Sequence, residues 1–282
     1  MDAAAGNGHL DVVKYLHQHN LVGASVRAMN YAAANGHLHV VQWLHAHRRE
    51  GCTHEAVDGA ATNNHMEVVQ WLMTHRSEKC STVAIDGAAR RGHLEMVQWL
   101  HRHSDAGCTI AAVDCAAEHN HVAVVQWLLH NRREGCSTRA MDFMAKYGHL
   151  HMVKWLHANR REGCSTRAMD FAAAGGFVDV VAWLHTHRSE GCTVEILEQS
   201  AQAGRKDVVE WLLANRLEGC PRCASRVARL HGHYGVARIL AQANTDGRWC
   251  RVCIGSNNPR RRQQVEQCGD TWPGGPYCAC LV

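Results

Sequence analysis

A strict period of 28 residues constrains this 282-residue chain more than any other feature. The segment from Asn131 to Phe143 recurs letter for letter from Asn159 to Phe171. Equally spaced residues mark the same period, namely Trp43, Trp71, Trp99, Trp127, Trp155, Trp183 and Trp211, with Cys52, Cys80, Cys108, Cys136, Cys164, Cys192 and Cys220. Because no insertion breaks the register between Gly8 and Leu240, every unit must stack on its neighbour in one geometry, which indicates a solenoid.

Each unit is predicted to contain two short helices. In Cys52–Lys79, Thr53 is suited to cap the first helix, in which apolar residues recur at helical spacing. We expect this helix to end at Asn64, in a slot that holds only Gly or Asn, because those residues enter the left-handed region cheaply. A second helix follows from His65, and its apolar face includes Trp71, which we predict to lie in the core.

Ala88–Leu100, which reads AARRGHLEMVQWL, resembles the core of an ankyrin repeat. The resemblance covers nearly everything from residue 1 to about 242, in about nine units. It implies an all-α solenoid of stacked helix-turn-helix units. Ankyrin repeats usually run about 33 residues, and the usual Thr-Pro-Leu-His opening is absent here, with Asp58 or its equivalents in the His slot. We therefore expect very short or absent β-hairpins, and such short units resemble the expanded ankyrin families of microbial eukaryotes.

The two ends of the array, residues 1–242, differ from its centre. Met1 aligns with Met29, so we expect that the incomplete first unit either frays or has lost upstream sequence. Solenoids normally close with capping units whose outer face is polar. The last unit is interpreted as such a cap, because it carries Pro221 in the N-cap slot together with Arg226 and Arg229.

Residues 243–282 lie beyond the period and contain many Gly, Pro, Arg and Cys residues, so we expect a disordered tail. The tail cysteines are Cys250, Cys253, Cys268, Cys278 and Cys280. One CxxC pair with scattered partners is a weak signal for zinc, so a metal site here is the lesser alternative. Arg260–Arg262 is interpreted as a solvated run, with nuclear import or a nucleic-acid contact as the alternative.

The periodic cysteines are predicted to be unpaired thiols. Packed helices lie about 8–10 Å apart, whereas a disulfide needs Cα atoms within roughly 7 Å. A reducing compartment, the cytoplasm or the nucleus, follows from this ladder. The N-terminus has no signal-peptide pattern, and no apolar run is long enough to cross a membrane, so we expect no membrane contact.

Neither catalysis nor a cofactor is expected. The chain has 23 histidines, but the Gly-His pairs and the His pairs that close each second helix belong to the repeat, where His suits the helix C-terminus. Residues two apart on a helix point in different directions and cannot chelate one metal. The net charge of +4 does not by itself imply nucleic acid.

Positions that vary between units can encode a partner, and the ankyrin resemblance assigns such positions to a concave face. The candidates are Tyr31, Thr62, Asn63, Arg90, Arg91, Glu118, His119, Phe143, Lys146, Tyr147, Phe171 and Gln202. The aromatic residues among them either anchor a partner or fill space between repeats. We expect a monomeric, non-catalytic scaffold that binds a protein, such as an acidic or phosphorylated peptide surface. The alternatives are a nucleic-acid or other ligand-binding module, or a regulatory fragment of a larger protein.

Overall fold

The computed structural model describes residues 1–19 and 23–243, which form eighteen α-helices and no β-strand. The first helices of the units are α1 (Asp2–Gly6), α3 (Val26–Ala34), α5 (His54–Thr62), α7 (Thr82–Arg90), α9 (Ile110–Glu118), α11 (Thr138–Lys146), α13 (Thr166–Gly175), α15 (Ile196–Gln202) and α17 (Pro221–Leu230). The second helices are α2 (Leu10–Gln18), α4 (Leu38–His47), α6 (Met66–His75), α8 (Leu94–His103), α10 (Val122–Asn131), α12 (Leu150–Asn159), α14 (Val178–His187), α16 (Lys206–Asn215) and α18 (Tyr234–Ala243). This confirms the predicted all-α class. The predicted tail, its cysteines and Arg260–Arg262 lie outside the described residues.

Most first helices begin at the predicted hydroxyl cap. The Ser81 and Thr109 side chains each accept a hydrogen bond from the backbone N–H two residues further on, which satisfies a donor that the helix itself leaves unpaired. The helix that was predicted to end at Asn64 ends at Thr62 instead, because Asn63 already caps it. Asn64 has a φ of 64°, so the predicted left-handed position is confirmed.

Two of the predicted caps are wrong. Thr193 accepts a hydrogen bond from the Glu195 N–H, but a turn intervenes and Glu195 itself is the N-cap of α15. Pro221 is not the cap of α17, because Cys220 occupies that position and Pro221 is the first helical residue. Proline has no N–H and its fixed φ suits the first turn of a helix, which explains the shift by one residue.

The core of each 28-residue repeat lies between its two helices. Ala60 and Ala61 of α5 and Leu72 of α6 are fully shielded from solvent, and the small alanines allow close approach of the neighbouring helix. The prediction that Trp71 lies in the core is wrong, because valine and leucine fill the inward stripe of α6 and the indole lies half-buried beside it. The Trp71 ring stacks on His75 instead, with ring centroids 4.6 Å apart.

The described residues divide into two compact units, which meet in sequence between Ala140 and Met141, and each contains the same contact between successive repeats. In the first unit, Asp58 Oδ1 accepts the Ser81 N–H at 2.9 Å, and Asp58 Oδ2 accepts the Ser81 hydroxyl at 2.6 Å. We call this pair of hydrogen bonds the aspartate bridge. It recurs from Asp2 to Ser25, Asp86 to Thr109, Asp114 to Ser137 and, in the second unit, Asp142 to Ser165.

The aspartate bridge gives the periodic aspartate a structural role, since it fixes the start of the next first helix. Asp142 is 3% exposed, and burial raises the pKa of its carboxyl while the hydrogen bonds from Ser165 lower it. Asn30 occupies the aspartate position in its repeat, and its amide forms an equivalent pair of hydrogen bonds. Its Oδ1 accepts the Thr53 N–H and its Nδ2 donates to the Thr53 hydroxyl.

A second contact between repeats lies at the ends of the second helices. Arg76 Nη1 lies 3.3 Å from His45 Nδ1, and because a guanidinium only donates, the imidazole nitrogen accepts. The same guanidinium donates to Glu78 at 2.5 Å. Equivalent pairs are Arg48 with His17, Arg132 with His101, Arg188 with His157 and Arg216 with His185. The histidine at this position therefore bonds to the arginine of the next repeat, in addition to lying near a helix C-terminus.

Candidate partner-binding site

The twelve candidate residues lie towards the C-terminal ends of the first helices or directly after them. We call this surface the helix-one face. Nine of these positions follow the last buried alanine of a first helix, whereas Tyr31, Phe143 and Phe171 come directly before the buried residues at its end. Seven of the candidates belong to the first compact unit and five to the second, and the two sets are described separately.

In the first unit, two candidates are already used within the array. The Asn63 side-chain amide donates to the Ala34 carbonyl of the preceding repeat at 2.7 Å. Thr62 packs against Gly87 of the next repeat, where an added Cβ would lie 2.1 Å from the Thr62 hydroxyl oxygen. Both side chains are half-buried, so they help to set the spacing between repeats. Their role in partner binding stays a prediction.

The remaining candidates of the first unit present polar groups to solvent. Arg90 and Arg91 are both exposed at the end of α7, and Tyr31 is 48% exposed. Glu118 is half-buried and forms an ion pair with Arg139 at 2.5 Å, which offsets part of its charge. The exposed His119 ring bonds through Nδ1 to a carbonyl of its own helix. Arg90 and Arg91 are therefore the main cationic groups of this set.

In the second unit, four candidates form one cluster. The Phe143 and Phe171 rings stack with centroids 5.9 Å apart and an interplanar angle of 27°. Lys146 Nζ lies 5.3 Å from the Phe143 centroid, 5.2 Å from that of Tyr147 and 5.8 Å from that of Phe171. All three distances lie within the range of cation–π attraction. We call these four residues the aromatic–lysine cluster.

The geometry fits either interpretation of the phenylalanines, and their role as partner anchors stays a prediction. Phe143 and Phe171 occupy equivalent positions of successive repeats and pack on each other, yet both remain half-buried rather than buried. Lys146 is exposed and Tyr147 is half-buried. Phe143, Lys146 and Tyr147 share one face of the helix end because they are three and four residues apart. Gln202, the remaining candidate of this unit, is exposed at the end of α15.

The Gly-His slots are structural in this chain. An Ala added at Gly92 would place its Cβ 2.5 Å from the ring of His121, so the two residues pack closely. Burial lowers the pKa of His121 below its usual value, and a hydrogen bond to the Arg90 carbonyl opposes this. Over the described ranges, no group of three or more His, Cys, Asp or Glu side chains is arranged to hold a metal.

Sequence reasoning missed a pair of cysteines at the start of α17. Cys223 lies outside the 28-residue series, in the slot that Glu195 holds one repeat earlier. Its backbone N–H donates to Cys220 Sγ at 3.5 Å, which makes Cys220 the cap of this helix. The available signal was the replacement of the periodic Ser or Thr by Pro221, which leaves the cysteine as the nearest capping group.

Repeated pairs of short helices without strands across the described residues define a helical-repeat solenoid. The chain belongs to the ankyrin repeat family. A family model described as ankyrin repeats (3 copies) matches residues 54–142, and another described as ankyrin repeats (many copies) matches residues 1–45 and 145–185. No curated protein sequence matches the chain. Ankyrin repeats are generally modules for protein–protein interaction. None of the described helices is long and apolar enough to span a membrane.

Proposed function

We propose that this protein is a non-catalytic scaffold that binds a protein or peptide partner on the helix-one face, the surface that the ankyrin resemblance assigns to the concave side. The aromatic–lysine cluster carries this proposal. It combines half-buried aromatic rings, which are enriched at protein interfaces, with an exposed ammonium group that can pair with an anion. Side chains that served only to pack the repeats would not require an exposed cation over three rings.

The exposed charges on the first helices of the second unit favour an acidic or phosphorylated partner. In the second unit, the exposed cations of the first helices are Lys146, Arg167, Arg222, Arg226 and Arg229. The two aspartates of α11 and α13 are buried and engaged by the next repeat, so they do not offset these cations at the surface. A carboxylate or phosphate can pair with Lys146 while neighbouring apolar atoms of the partner pack on Phe143 and Phe171.

Within the first unit, Arg90 and Arg91 offer a second cationic patch for the same class of partner. Neither forms an ion pair among the residues described, so both guanidinium groups are available to donate. Arginine suits this role because its planar fork binds a carboxylate or a phosphate through two parallel hydrogen bonds.

The test is selection from a displayed peptide library with the full chain, followed by affinity measurement on the selected peptides. Acidic or phosphorylated sequences should be enriched, and Lys146→Glu should weaken their binding at least tenfold. Lys154→Glu is the matched control, because it makes the same charge change on an exposed residue of the second helix α12. Arg90→Glu with Arg91→Glu tests the first unit in the same assay.

Equal losses for Lys146→Glu and Lys154→Glu would contradict a specific site, since net charge alone would then explain binding. Binding of single-stranded nucleic acid in preference to peptides, with a steep salt dependence, would favour the alternative of a nucleic-acid module. The buried reduced thiols of both units support a reducing compartment, the cytoplasm or the nucleus, for the proposed interaction.

A further inference from the structure

The last repeat breaks the pattern that the aspartate bridge imposes elsewhere. The slot of the capping Ser or Thr holds Pro221, which has no N–H for an aspartate to accept. The aspartate slot of the preceding repeat holds Glu198, a half-buried carboxyl whose pKa burial raises, with a further contribution from Cys220. The start of α17 is therefore built around a sulfur atom instead of a hydroxyl and a carboxylate.

Two sulfur atoms meet at this helix start. Cys220 is the N-cap, and Cys223 lies three residues further on, in a Cys-Pro-Arg-Cys sequence. Cys220 Sγ accepts the Cys223 N–H at 3.5 Å. Cys220 is 7% exposed, whereas Cys223 is half-buried, so reagents from solvent reach Cys223 first.

The environment of Cys220 differs from that of the other periodic cysteines. Burial raises the pKa of Cys108, Cys164 and Cys192 to about 11, with contributions from glutamates and aspartates. Cys220 instead accepts hydrogen bonds from the Cys223 side chain and from backbone N–H groups. Together with the charge of Arg222, these lower the pKa of its thiol against the effect of burial. A Cys-x-x-Cys pair at a helix N-terminus is the arrangement in which thiolates are stabilised and exchange with disulfides.

We propose that Cys220 and Cys223 form a redox-active dithiol, which closes to an intramolecular disulfide when it meets a small-molecule disulfide of the glutathione class. Whereas the helix-one face lies towards the C-terminal ends of the first helices, the dithiol lies at the N-terminal end of its helix. It is a reversible modification site in the last repeat, set apart from the buried, structural thiols of the ladder.

The exchange balances in two steps. Cys223, the more accessible of the two, gives up its thiol proton to solvent as its sulfur attacks one sulfur of oxidised glutathione, which forms a mixed disulfide on Cys223 and expels one glutathione thiolate. The Cys220 thiolate then attacks Cys223 Sγ, which forms the Cys220–Cys223 bond and expels the second glutathione thiolate. The protein thiols lose two electrons, oxidised glutathione gains them, and the thiol protons end on the two released glutathione molecules.

The experiment equilibrates the full chain in glutathione buffers of increasing oxidised fraction, quenches the exchange with acid, unfolds the protein in denaturant so that N-ethylmaleimide reaches every remaining thiol, and digests with trypsin. Cleavage after Arg216, Arg222 and Arg226 separates the two cysteines into different peptides, 217–222 and 223–226. Mass spectrometry should detect these peptides joined by a disulfide, in more than half of the molecules when oxidised glutathione predominates. Excess reduced glutathione should reverse the link, and Cys108 and Cys164 should remain alkylated throughout.

Cys220→Ser separates the two steps, and Ser keeps a good N-cap at this position. This variant, checked for folding by circular dichroism, should accumulate a glutathione adduct on Cys223, because the resolving thiolate is missing. The proposal is overturned if the wild-type peptides 217–222 and 223–226 are recovered fully alkylated at every ratio, or if glutathione adducts form without the link.

Discussion

Removal of one aspartate bridge should cost a measurable part of the stability of the first unit. Asp114 is 4% exposed, and its two carboxylate oxygens accept the Ser137 N–H at 2.9 Å and the Ser137 hydroxyl at 2.6 Å. A hydrogen bond to a charged group contributes about 1.5–3 kcal/mol. Asp114→Ala loses two of them but also removes a buried charge, so we expect a net loss of about 2–4 kcal/mol.

Asn30 supplies the internal comparison for this prediction. Because that amide bridges to Thr53 through an accepted and a donated hydrogen bond, Asp114→Asn can retain both contacts. We expect it to cost about 1 kcal/mol, the scale of one neutral hydrogen bond. The exposed Asp105, whose side chain is 98% accessible, provides the control Asp105→Ala, which should leave stability within error of the wild type.

The measurement is urea unfolding of the full chain, followed by tryptophan fluorescence and by circular dichroism. The expected order of stability is wild type and Asp105→Ala, then Asp114→Asn, then Asp114→Ala. If Asp114→Ala unfolds at the same urea concentration as Asp105→Ala, the bridge does not stabilise the array. If Asp114→Asn is as unstable as Asp114→Ala, the equivalence with Asn30 is wrong.

Three further perturbations test the electrostatics and packing. Burial raises the pKa of Glu134, but hydrogen bonds, that from Arg132 first, lower it to about 2 from an ordinary 4.5, so Glu134→Gln should destabilise the protein at pH 7. The difference in stability between this variant and the wild type should disappear as the pH falls from 4.5 to 2, and a difference that persists would refute the reasoning. Burial lowers the pKa of His121, so the stability of the protein should fall as the pH drops below 6.5. In thermal unfolding at several pH values, His121→Phe should show a smaller fall, and an unchanged fall would mean that other groups cause the pH dependence. Gly92→Ala should lower the free energy of unfolding in urea by roughly 1 kcal/mol or more beyond the loss for Gly232→Ala, because both glycines have positive φ but only an added Cβ at Gly92 would meet a histidine ring, at 2.5 Å. Equal losses for the two variants would mean that the ring moves aside freely.

Local structure could be predicted from the sequence because its signals lie within one unit. Thr53 as a cap and Asn64 as a left-handed residue follow from the conformational preferences of single residues. The aspartate bridge could not be predicted in this way. The period reveals that Asp58 recurs, but its partner Ser81 belongs to the next repeat, and only the packing of successive helices brings the two together. The burial of Trp71 was predicted wrongly because apolar character alone does not distinguish a position in the core from one beside it.

For the candidate site, the residues could be predicted from the sequence, but their arrangement in space could not. Phe143, Lys146 and Tyr147 share a helix face through their spacing, and Phe171 is one period away, so the members of the cluster could be named from the sequence. Their mutual arrangement, with the Lys146 ammonium over three rings, depends on the distance between repeats. The cysteine pair at α17 escaped notice because Cys220 also belongs to the periodic series.

The direction of the aspartate bridge has a consequence for how such a protein can change its length. Every bridge spans the same interval, from the aspartate of one repeat to the cap of the next. A deletion of residues 59–86, for example, places Asp58 and Thr109 in the register of a complete bridge, because the hybrid repeat inherits one half from each neighbour. Loss or gain of whole repeats within the bridged part of the array therefore keeps each aspartate in register with a cap, whereas a change inside the interval that is not a multiple of 28 residues separates the two.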